Sequence, residues 1–502
     1  MNTKNKQGSV LILTYLVVMV LLILGFSFVN RSIVESRIAE RQKRGEQAFA
    51  LAEAGLERAL YRLRKDYEND LFAPSWTDGE IDGIDYTLDG GPDTNNFYPL
   101  SLGSAVLETG SYSVSLKNTT ADDAIWVQSQ GTVAEISKTI QAYVIIEDLA
   151  PWKNVIFAGV GLSGAVVNGN VDIRGSLLVL GTNLSSTDLA INVSGDGLIG
   201  NNYLGIPSAF SSRIPAIPTT IFNGEAVESL GAKLRIKRGK LGLSGSATVG
   251  GPDVVGNAYK ETVDAVFITD GYGGSQGAES VYSDNGSGNP YDLGNSVQFP
   301  SLSAPHDDDP SITYQQFLRN NAYVIEDALE LNEIANITPD SNFSYGDVLG
   351  SISMDGNGNM TINGVVYIDG GDLNMDKQGS DKTITYSGTG SILVTGNVGI
   401  NVNLLTPAVA NSYPANIMGI MTPQEITFNA PNIDVMGIFY AETKITAEKQ
   451  TDIAGTIISN YFDMSDQVPS IFQVPATADS LPLGMIAAGK LWVVRVVAWQ
   501  KL

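Results

Sequence analysis

The feature that most constrains this chain is an uncharged apolar run near its start. Residues Ser9–Val29 (SVLILTYLVVMVLLILGFSFV) contain no charged side chain over 21 residues. At about 1.5 Å per residue, a helix of this length can cross a hydrocarbon core of about 30 Å. A cleaved secretory signal would have an apolar core of about 7–15 residues and then a small-x-small site, whereas Asn30 and Arg31 follow this run. The sequence therefore predicts a single-pass membrane anchor.

A predicted amphipathic helix, residues 30–66, continues directly from the apolar run. Between Phe49 and Leu63 apolar side chains recur at steps of three and four, which is the period of one helix face. Gly45 and Gly55 interrupt this segment, and each costs a helix about 1 kcal/mol relative to alanine. Two interpretations stay open: the helix tolerates these glycines, or another helix approaches closely there.

Two motifs on this helix resemble those of a known family. Gly8-Ser9 before the apolar run is similar to a type IV prepilin leader, in which a short basic peptide is removed after a glycine. Residues 47–59 (QAFALAEAGLERA) resemble the AxxAAEAGLxxA signature of PilX-like pilus assembly proteins, with Leu51 in place of one alanine. Those proteins are minor pilins related to the K-type minor pseudopilins of type II secretion. The resemblance implies processing between Gly8 and Ser9, and helix packing through Leu13, Phe49, Ala52, Glu53, Ala54, Gly55 and Leu56.

One departure from the family pattern concerns the fifth position after the cleavage site. Most pilins carry a glutamate there, and this chain has Leu13. A carboxylate buried among apolar helices is costly unless an opposite charge pairs with it, and in the family the N-terminal amine of a neighbouring subunit is taken to be that partner. K-type subunits without the glutamate are placed at the fibre tip. The resemblance therefore implies a tip position, while the missing glutamate leaves open whether cleavage after Gly8 occurs.

The function implied by the resemblance is structural. We expect a minor pilin-like component of a type IV pilus or a type II secretion pseudopilus, at or near the fibre tip. Its partners would be other major and minor pilins, a prepilin peptidase and the bacterial inner membrane, with the body periplasmic or extracellular and in the pilus after assembly. The alternative is a single-pass membrane-anchored β-helix adhesin or scaffold that is not incorporated in a pilus.

The chain is acidic beyond the helix. Residues 1–66 carry eleven Lys/Arg and six Asp/Glu, so the net charge of −24 for the whole chain leaves −29 for residues 67–502. Nucleic-acid binding needs clustered Lys/Arg to neutralise phosphates, and we therefore expect no nucleic-acid partner. A surface or a glycan is the candidate ligand. The absence of cysteine excludes disulfides, thiolate metal sites and a cysteine nucleophile.

The predicted fold class is α+β. The chain is divided into a leader (1–8), the helix (9–66, with 9–29 transmembrane and 30–66 amphipathic), a small antiparallel β head (67–150) and a large β-rich domain (151–502). Alternation typical of strands with one buried face marks three segments of the head, SYSVSL (111–116), AIWVQSQGTV (124–133) and EISKTIQAYVII (135–146).

The large domain is predicted to be a right-handed parallel β-helix, with a sandwich as the alternative. Short apolar runs are separated by Gly, Asn and Asp, without long helices between them. Gly364, Gly390 and Gly437 each precede a β-branched or aromatic run, and their spacings of 26 and 47 residues suit one and two coils. A helix is expected within residues 310–335. The segment 491–499 (LWVVRVVAW) is expected to be a final strand that closes a core edge.

Catalytic motifs are scarce in this sequence. The single histidine, His306, lies in PHDDDP and is interpreted as part of an exposed polar loop, since a Ser-His-Asp triad would have to be built around it alone. A GxxxxGK[ST] phosphate-binding loop is absent. A carboxylate pair of the glycoside hydrolase type is the remaining enzymatic alternative, but sequence does not place two carboxylates together. We therefore predict that the protein is not an enzyme.

No cofactor is predicted, and calcium is the one candidate metal. Asp355, Asn357 and Asn359 stand at positions one, three and five of an EF-hand-like loop, but Met360 and Val366 occupy the positions of its glycine and glutamate. The loop is therefore not an EF-hand, and turn formation is the simpler interpretation of these side chains. K-type relatives are associated with calcium, but their ligand positions cannot be matched to residues here.

Overall fold

The structure of the protein is a computed structural model, and it divides into two compact units. It describes residues 6–69, 76, 80–85, 94–102, 106–107, 110–119, 124–159, 167–169, 171–185, 187–266, 269–270, 280–283, 297–307, 309–379, 382–447, 450–464, 469–486 and 492–502. The first unit comprises Met1–Glu147 and Trp492–Leu502, and the second comprises Asp148–Leu491. The second unit is therefore an insertion in the chain of the first.

The first unit is built on one helix, α1 (Lys6–Asn69). The apolar run and the amphipathic segment form one uninterrupted helix, as the sequence predicts. Side chains 10–43 are exposed in this unit. From Ala48 onward the apolar stripe is buried at steps of three and four, because it packs on a sheet; its buried members are Ala48, Leu51, Ala52, Ala59, Leu60 and Leu63.

The sheet beneath α1 is called the head sheet. Its strands are β3 (Tyr98–Leu100), β4 (Val106–Leu107), β5 (Gly110–Asn118), β6 (Ala124–Val133), β7 (Ile136–Asp148) and β36 (Trp492–Lys501). A separate hairpin consists of β1 (Glu80–Ile81) and β2 (Ile84–Asp85). Strands β5, β6 and β7 are antiparallel neighbours, and they lie where the alternating segments were predicted.

The core of the first unit lies between α1 and the head sheet. Alternate residues of each strand face the helix, for example Val127 and Ala142, which are paired across β6 and β7 and are fully buried. Their neighbours along the strands are polar and half-buried, as expected for a sheet with one covered face. The cluster also includes Leu60, Leu63, Trp76, Ile81, Leu116, Ile125, Val144, Ile146 and Val494.

The C-terminal strand differs from its predicted place. The sequence assigned residues 151–502 to one β-rich domain, with 491–499 closing an edge of that domain. Strand β36 instead lies next to β7 in the head sheet, and the Leu502 amide donates to the Thr139 carbonyl at 3.0 Å. The pairing joins residues about 350 positions apart, so local pattern carries no information about it.

The second unit consists mainly of short strands. They are β8 (Ile156–Ala158), β9 (Val167–Gly169), β10 (Asp172–Arg174), β11 (Leu177–Val179), β12 (Leu189–Val193), β13 (Leu198–Gly200), β14 (Thr219–Phe222), β15 (Glu225–Glu228), β16 (Lys233–Ile236), β17 (Lys240–Leu243), β18 (Thr248–Val249), β19 (Asp264–Val266), β20 (Thr269–Asp270), β21 (Tyr323–Ile325), β22 (Asn336–Ile337), β23 (Asn342–Gly346), β24 (Gly350–Asp355), β25 (Asn359–Ile368), β26 (Leu373–Met375), β27 (Thr383–Ser387), β28 (Thr389–Val394), β29 (Val398–Ile400), β30 (Asn403–Leu405), β31 (Ile417–Thr422), β32 (Glu425–Phe428), β33 (Ile433–Ala447), β34 (Thr451–Asp463) and β35 (Ser470–Phe472).

Four short helices accompany these strands. They are α2 (Ser208–Ser211), α3 (Tyr314–Asn320), α4 (Ala328–Ile334) and α5 (Ser412–Ala415). Two of them, α3 and α4, fall within residues 310–335, where a single helix was expected, and β21 separates them. Thr313 caps α3 by accepting a hydrogen bond from the Gln316 amide, and Asp327 caps α4 in the same way through the Leu329 amide.

Pairing in the second unit is largely parallel. The antiparallel pairs among its described strands are β14–β15, β23–β24 and β24–β25. Gly364 pairs with Gly390, 26 residues later, and Gly437 pairs with Gly455, 18 residues later. The glycine spacings seen in the sequence are thus spacings between paired strands. Together with α1 and the antiparallel head sheet, this β-rich unit confirms the predicted α+β class.

One column of fully buried side chains runs through nine consecutive parallel strands. Its members, each paired with the next, are Val366, Ile392, Ile420, Phe439, Ile457, Ile156, Leu177, Leu234 and Ala265. Stacking like side chains in register buries each against the one above and below, which forms the core of this unit.

The order of this column is not the order of the chain. The unit starts in the middle of the column at Ile156 and proceeds to Ala265 at one end. It then resumes at the other end and returns through Val366 to Ile457, beside the starting strand. A strap, residues 297–315, links the two halves: Val297 accepts a hydrogen bond from Lys237, Phe299 contacts Phe157 and Tyr440, and Gln315 donates to Tyr367.

Candidate functional site

The alanine- and glycine-rich stretch of α1 faces the head sheet of its own chain. Ala52 is fully buried, Gly55 is buried and Leu56 is half-buried. A Cβ built on Gly55 would meet Ser129 and would lie 2.8 Å from Cδ2 of Tyr112. Close approach therefore explains Gly55, but the approaching element is a sheet of the same chain rather than another helix.

Other predicted packing residues lie on the uncovered side of α1. Glu53 and Ala54 are exposed, and Leu13 is 64 % exposed. Among the described residues, α1 is the one helix long and apolar enough to span a membrane, by length and composition. Gly8 and Ser9 lie in its first turns, whereas Met1–Asn5 lie outside the described residues. An apolar surface of this length needs either lipid or other apolar helices around it.

A groove of about 690 Å³ lies where α1 meets the outer strands of the head sheet. Its walls include Phe49 and Ile136, and the Lys501 ammonium lies 4.7 Å from the centre of the Phe49 ring. Arg41, Lys138 and Lys501 outnumber the one lining carboxylate, Glu46. The groove thus combines an apolar floor with a positive rim, and this arrangement suits a negatively charged protein segment that carries an apolar side chain.

A charged clasp fixes the β1–β2 hairpin to α1. Asp82 forms ion pairs with Arg62 and, at 3.2 Å, with Lys65, and its amide donates to the Asp66 carboxylate. Burial tends to raise the pKa of the Asp82 carboxyl, but hydrogen bonds and charge from Arg62 and Lys65 outweigh it, and the pKa lies below its usual value.

A buried ion pair ties β36 to β7. The Arg495 guanidinium lies 3.2 Å from the Glu147 carboxylate, whose side chain is fully buried. Glu147 is the last residue of the first unit before the insertion, and Arg495 follows shortly after the insertion ends. The pair therefore joins the two points at which the chain leaves and re-enters the head.

Carboxylates on neighbouring strands of the second unit are aligned in register. Asp434 pairs with Asp452, Asp452 with Ser470, and Ser470 with Asp172. Burial raises the pKa of each of the three carboxyls, and the like charge of a neighbour adds to this for Asp434 and Asp452. Sequence reasoning could not find this alignment, because it depends on the register between strands far apart in the chain.

The calcium candidates form a turn that is hydrogen-bonded within itself. The Asp355 carboxylate accepts from the amides of Asn357 and Asn359 and from the Asn359 side chain at 2.8 Å. These bonds lower the pKa of Asp355 to about 2. No group of three or more His, Asp or Glu side chains suited to a metal occurs among the residues that the structure describes. Calcium binding stays a prediction.

The interpretation of His306 as part of an exposed loop is wrong. Its side chain is 7 % exposed and stacks on Phe317 with ring centres 3.8 Å apart, while Tyr314 covers it from another side. Its amide also donates to the Ile312 carbonyl. The histidine is an aromatic packing residue at the start of α3, and no sequence signal distinguished this from an exposed loop.

Comparison with known proteins finds a likeness of fold. The chain is similar to the crystal structure of the competence-associated pilin ComZ from Thermus thermophilus, with a TM-score of 0.51 and 19 % sequence identity. The alignment covers 91 % of this chain and 97 % of that one. No family model matches the sequence, and no curated protein sequence matches it. The pilin likeness therefore concerns the fold, and it extends over both units.

Proposed function

We propose that this protein is a minor pilin-like structural component of a type IV pilus or of a type II secretion pseudopilus. The observation that carries the proposal is the likeness of fold to a competence-associated pilin over nearly the whole of both chains. The uncovered apolar half of α1 and the PilX-like motifs on the same helix support it. The protein performs no chemistry in this role; it anchors, assembles and displays.

Assembly would use two surfaces of the first unit. The Ser9–Val29 half of α1 packs beside the corresponding helices of other pilins, first in the inner membrane and then in the fibre. The uncovered side of α1 beyond it, which includes Glu53 and Ala54, faces neighbouring subunits. The positive rim of the groove at Arg41, Lys138 and Lys501 suits an acidic segment of such a neighbour.

A position at the fibre tip follows from Leu13. A subunit with leucine there lacks the carboxylate that would pair with the N-terminal amine of an adjacent subunit. It can still contribute apolar helix surface to the subunits on one side. This asymmetry suits the subunit that begins or ends a fibre, and there the large second unit has room beyond the shaft.

The second unit is proposed to be a right-handed parallel β-helix that binds a surface or a partner. The nine-residue column of buried aliphatic and aromatic side chains supports this, since such columns arise when successive coils stack in register. A sandwich would instead require facing sheets of largely antiparallel strands. The start of the unit beside its last coils allows it to be inserted between β7 and β36.

The decisive experiment determines the mature N-terminus. The full chain is produced with and without an active prepilin peptidase, and N-terminal sequencing together with intact mass identifies the first residue. We expect the processed chain to begin at Ser9, and we expect it in sheared fibre fractions. An intact leader in the presence of active peptidase would count decisively against the proposal.

A matched pair of variants separates processing from membrane insertion. Gly8→Val should block processing, keep the protein in the membrane and remove it from sheared fibres. Gly25→Val is the control, because a Cβ at Gly25 meets no atom within 4 Å and the substitution leaves the leader unchanged. Processing of wild type without recovery in fibres would favour the membrane-anchored adhesin or scaffold instead.

A further inference from the structure

A second cavity, of about 370 Å³, lies in the inserted unit beneath the β14–β15 hairpin. Its lining is mostly polar: it includes the hydroxyl-bearing side chains Thr219, Thr220, Ser229 and Thr262, and two ammonium groups, Lys233 and Lys260. Asp264 is the one carboxylate of the lining. The size falls within the range of pockets that hold small ligands.

Positive charge is concentrated around this cavity in an otherwise acidic unit. Residues 148–491 carry 35 Asp/Glu and 15 Lys/Arg, and five of those 15 lie between Lys233 and Lys240. Asp264 is engaged from below, since the buried guanidinium of Arg235 donates to its carboxylate at 2.8 Å. The lining and this buried partner together are therefore cationic, with three positive side chains against one negative.

The walls of the cavity are fixed by hydrogen bonds. The buried Asn201 side chain donates to the Ser229 hydroxyl at 3.1 Å and to the Thr262 carbonyl at 2.8 Å, and it accepts from the Ala232 amide. The hairpin wall is held in turn, because the Ser229 amide donates to the Pro218 carbonyl. A cavity whose walls are held in this way loses little entropy when a ligand enters.

We propose that this cavity binds a sugar residue that carries a carboxylate, such as a uronate of an acidic surface polysaccharide. Lys233 and Lys260 bind the carboxylate, and the threonine and serine hydroxyls exchange hydrogen bonds with the hydroxyls of the sugar ring. A single negative charge on a mostly neutral ligand fits, because the surrounding charge of −20 for residues 148–491 repels polyanions. For the same reason the site is not matched to a nucleic-acid backbone.

The proposal deepens the surface-binding part of the proposed function, and its test does not depend on pilus assembly. The full chain in detergent micelles is titrated with glucuronic acid, with glucose and with acetate, and binding is measured by calorimetry and by ligand-observed NMR. We expect glucuronic acid to bind more tightly than either of the others, and we expect high salt to weaken its binding. Glucose or acetate binding as tightly as glucuronic acid would overturn the proposal, and so would the absence of binding.

Variants connect the binding to the cavity. Lys260→Gln should weaken glucuronic acid binding by about tenfold or more, the loss expected when a charge-assisted hydrogen bond is removed. Lys382→Gln, at an exposed lysine outside the cavity, is the control and should leave binding unchanged. An unfolding curve identical to wild type excludes misfolding as the cause. Unchanged affinity in Lys260→Gln, or displacement of the sugar by a short oligodeoxynucleotide at lower concentration, would refute the assignment.

The two proposals can fail separately. Loss of glucuronic acid binding with normal processing and fibre incorporation would remove the sugar site and leave the pilin proposal intact. Binding by a protein that is never processed would leave the sugar site in place on an anchored adhesin.

Discussion

The ion pair between Glu147 and Arg495 gives the sharpest test of how the first unit is closed. Glu147 is fully buried at its side chain and Arg495 is 14 % exposed. Removing one partner of a buried pair leaves a charge without its counter-ion and costs about 3–5 kcal/mol. An exposed pair is worth about 0–1 kcal/mol. Arg495→Ala should therefore lower the stability of the first unit by about 3–5 kcal/mol, if β36 is a strand of the head sheet.

Tryptophan fluorescence can report this loss from the full chain. Of the five tryptophans, Trp76, Trp126, Trp492 and Trp499 lie in the first unit, and one lies in the second. Urea unfolding followed by their emission therefore weights the unit that carries the pair. Because a two-unit chain need not unfold in one step, hydrogen exchange of residues 492–502 is measured in parallel, and Arg495→Ala should speed it by two orders of magnitude or more.

Two further variants test whether the unpaired charge of Glu147 causes the loss of stability. In the double variant Glu147→Leu with Arg495→Met neither charge remains, so most of the lost stability should return. Arg44→Ala breaks the exposed Arg44–Glu40 pair of α1 and should cost less than about 0.5 kcal/mol. A loss below about 1 kcal/mol in Arg495→Ala would show that the reasoning about β36 is wrong.

Four other predictions follow from the contacts of single residues. Gly131→Val should destabilise the first unit by about 1–3 kcal/mol in urea unfolding, because a Cβ there would lie 2.8 Å from Leu51 Cβ and meet the backbone of α1; wild-type stability would contradict it. The lowered pKa of Asp82 means that its ion pairs stabilise above the unfolded value and are lost as pH falls through the folded pKa, so Asp82→Asn should remove that part of the acid sensitivity. For Asp452 the pKa is raised, so stability is lost as pH rises through it, and Asp452→Asn should raise the melting temperature near neutral pH but not in acid. If the Asp355 turn binds calcium, millimolar calcium should raise the melting temperature of wild type but not of Asp355→Ala, and equal shifts in both would remove this candidate.

Several features of the fold could be predicted because they depend on neighbouring residues. The helix α1 follows from an uncharged run joined to an apolar stripe, and both are local properties of the sequence. Strands β5, β6 and β7 follow from alternation, since one face of each strand is buried against α1. The spacing of 26 residues between Gly364 and Gly390 likewise corresponds to a pair of strands in register.

Candidate site residues were harder to predict than the elements that carry them. The stretch around Gly55 was identified as a packing surface, but whether it meets another helix or its own sheet depends on where Tyr112 and Ser129 lie. His306 was assigned to an exposed loop from its polar neighbours, yet Phe317 on α3 covers it. In each case the deciding contact comes from a residue that the local pattern does not include.

The sequence by itself determined the long apolar helix, the alternating strands of the head and the β-rich, acidic character of the remainder. Tertiary structure alone decided that β36 returns to the head sheet and that Ile156 stacks beside Ile457 in the middle of the column. It also brought Asn201, Lys233 and Lys260 to one cavity. The physical reason is the range of the interactions: helix and strand periodicity is set by residues a few positions apart, whereas pairing between distant strands is chosen by the burial and hydrogen bonding of the whole unit.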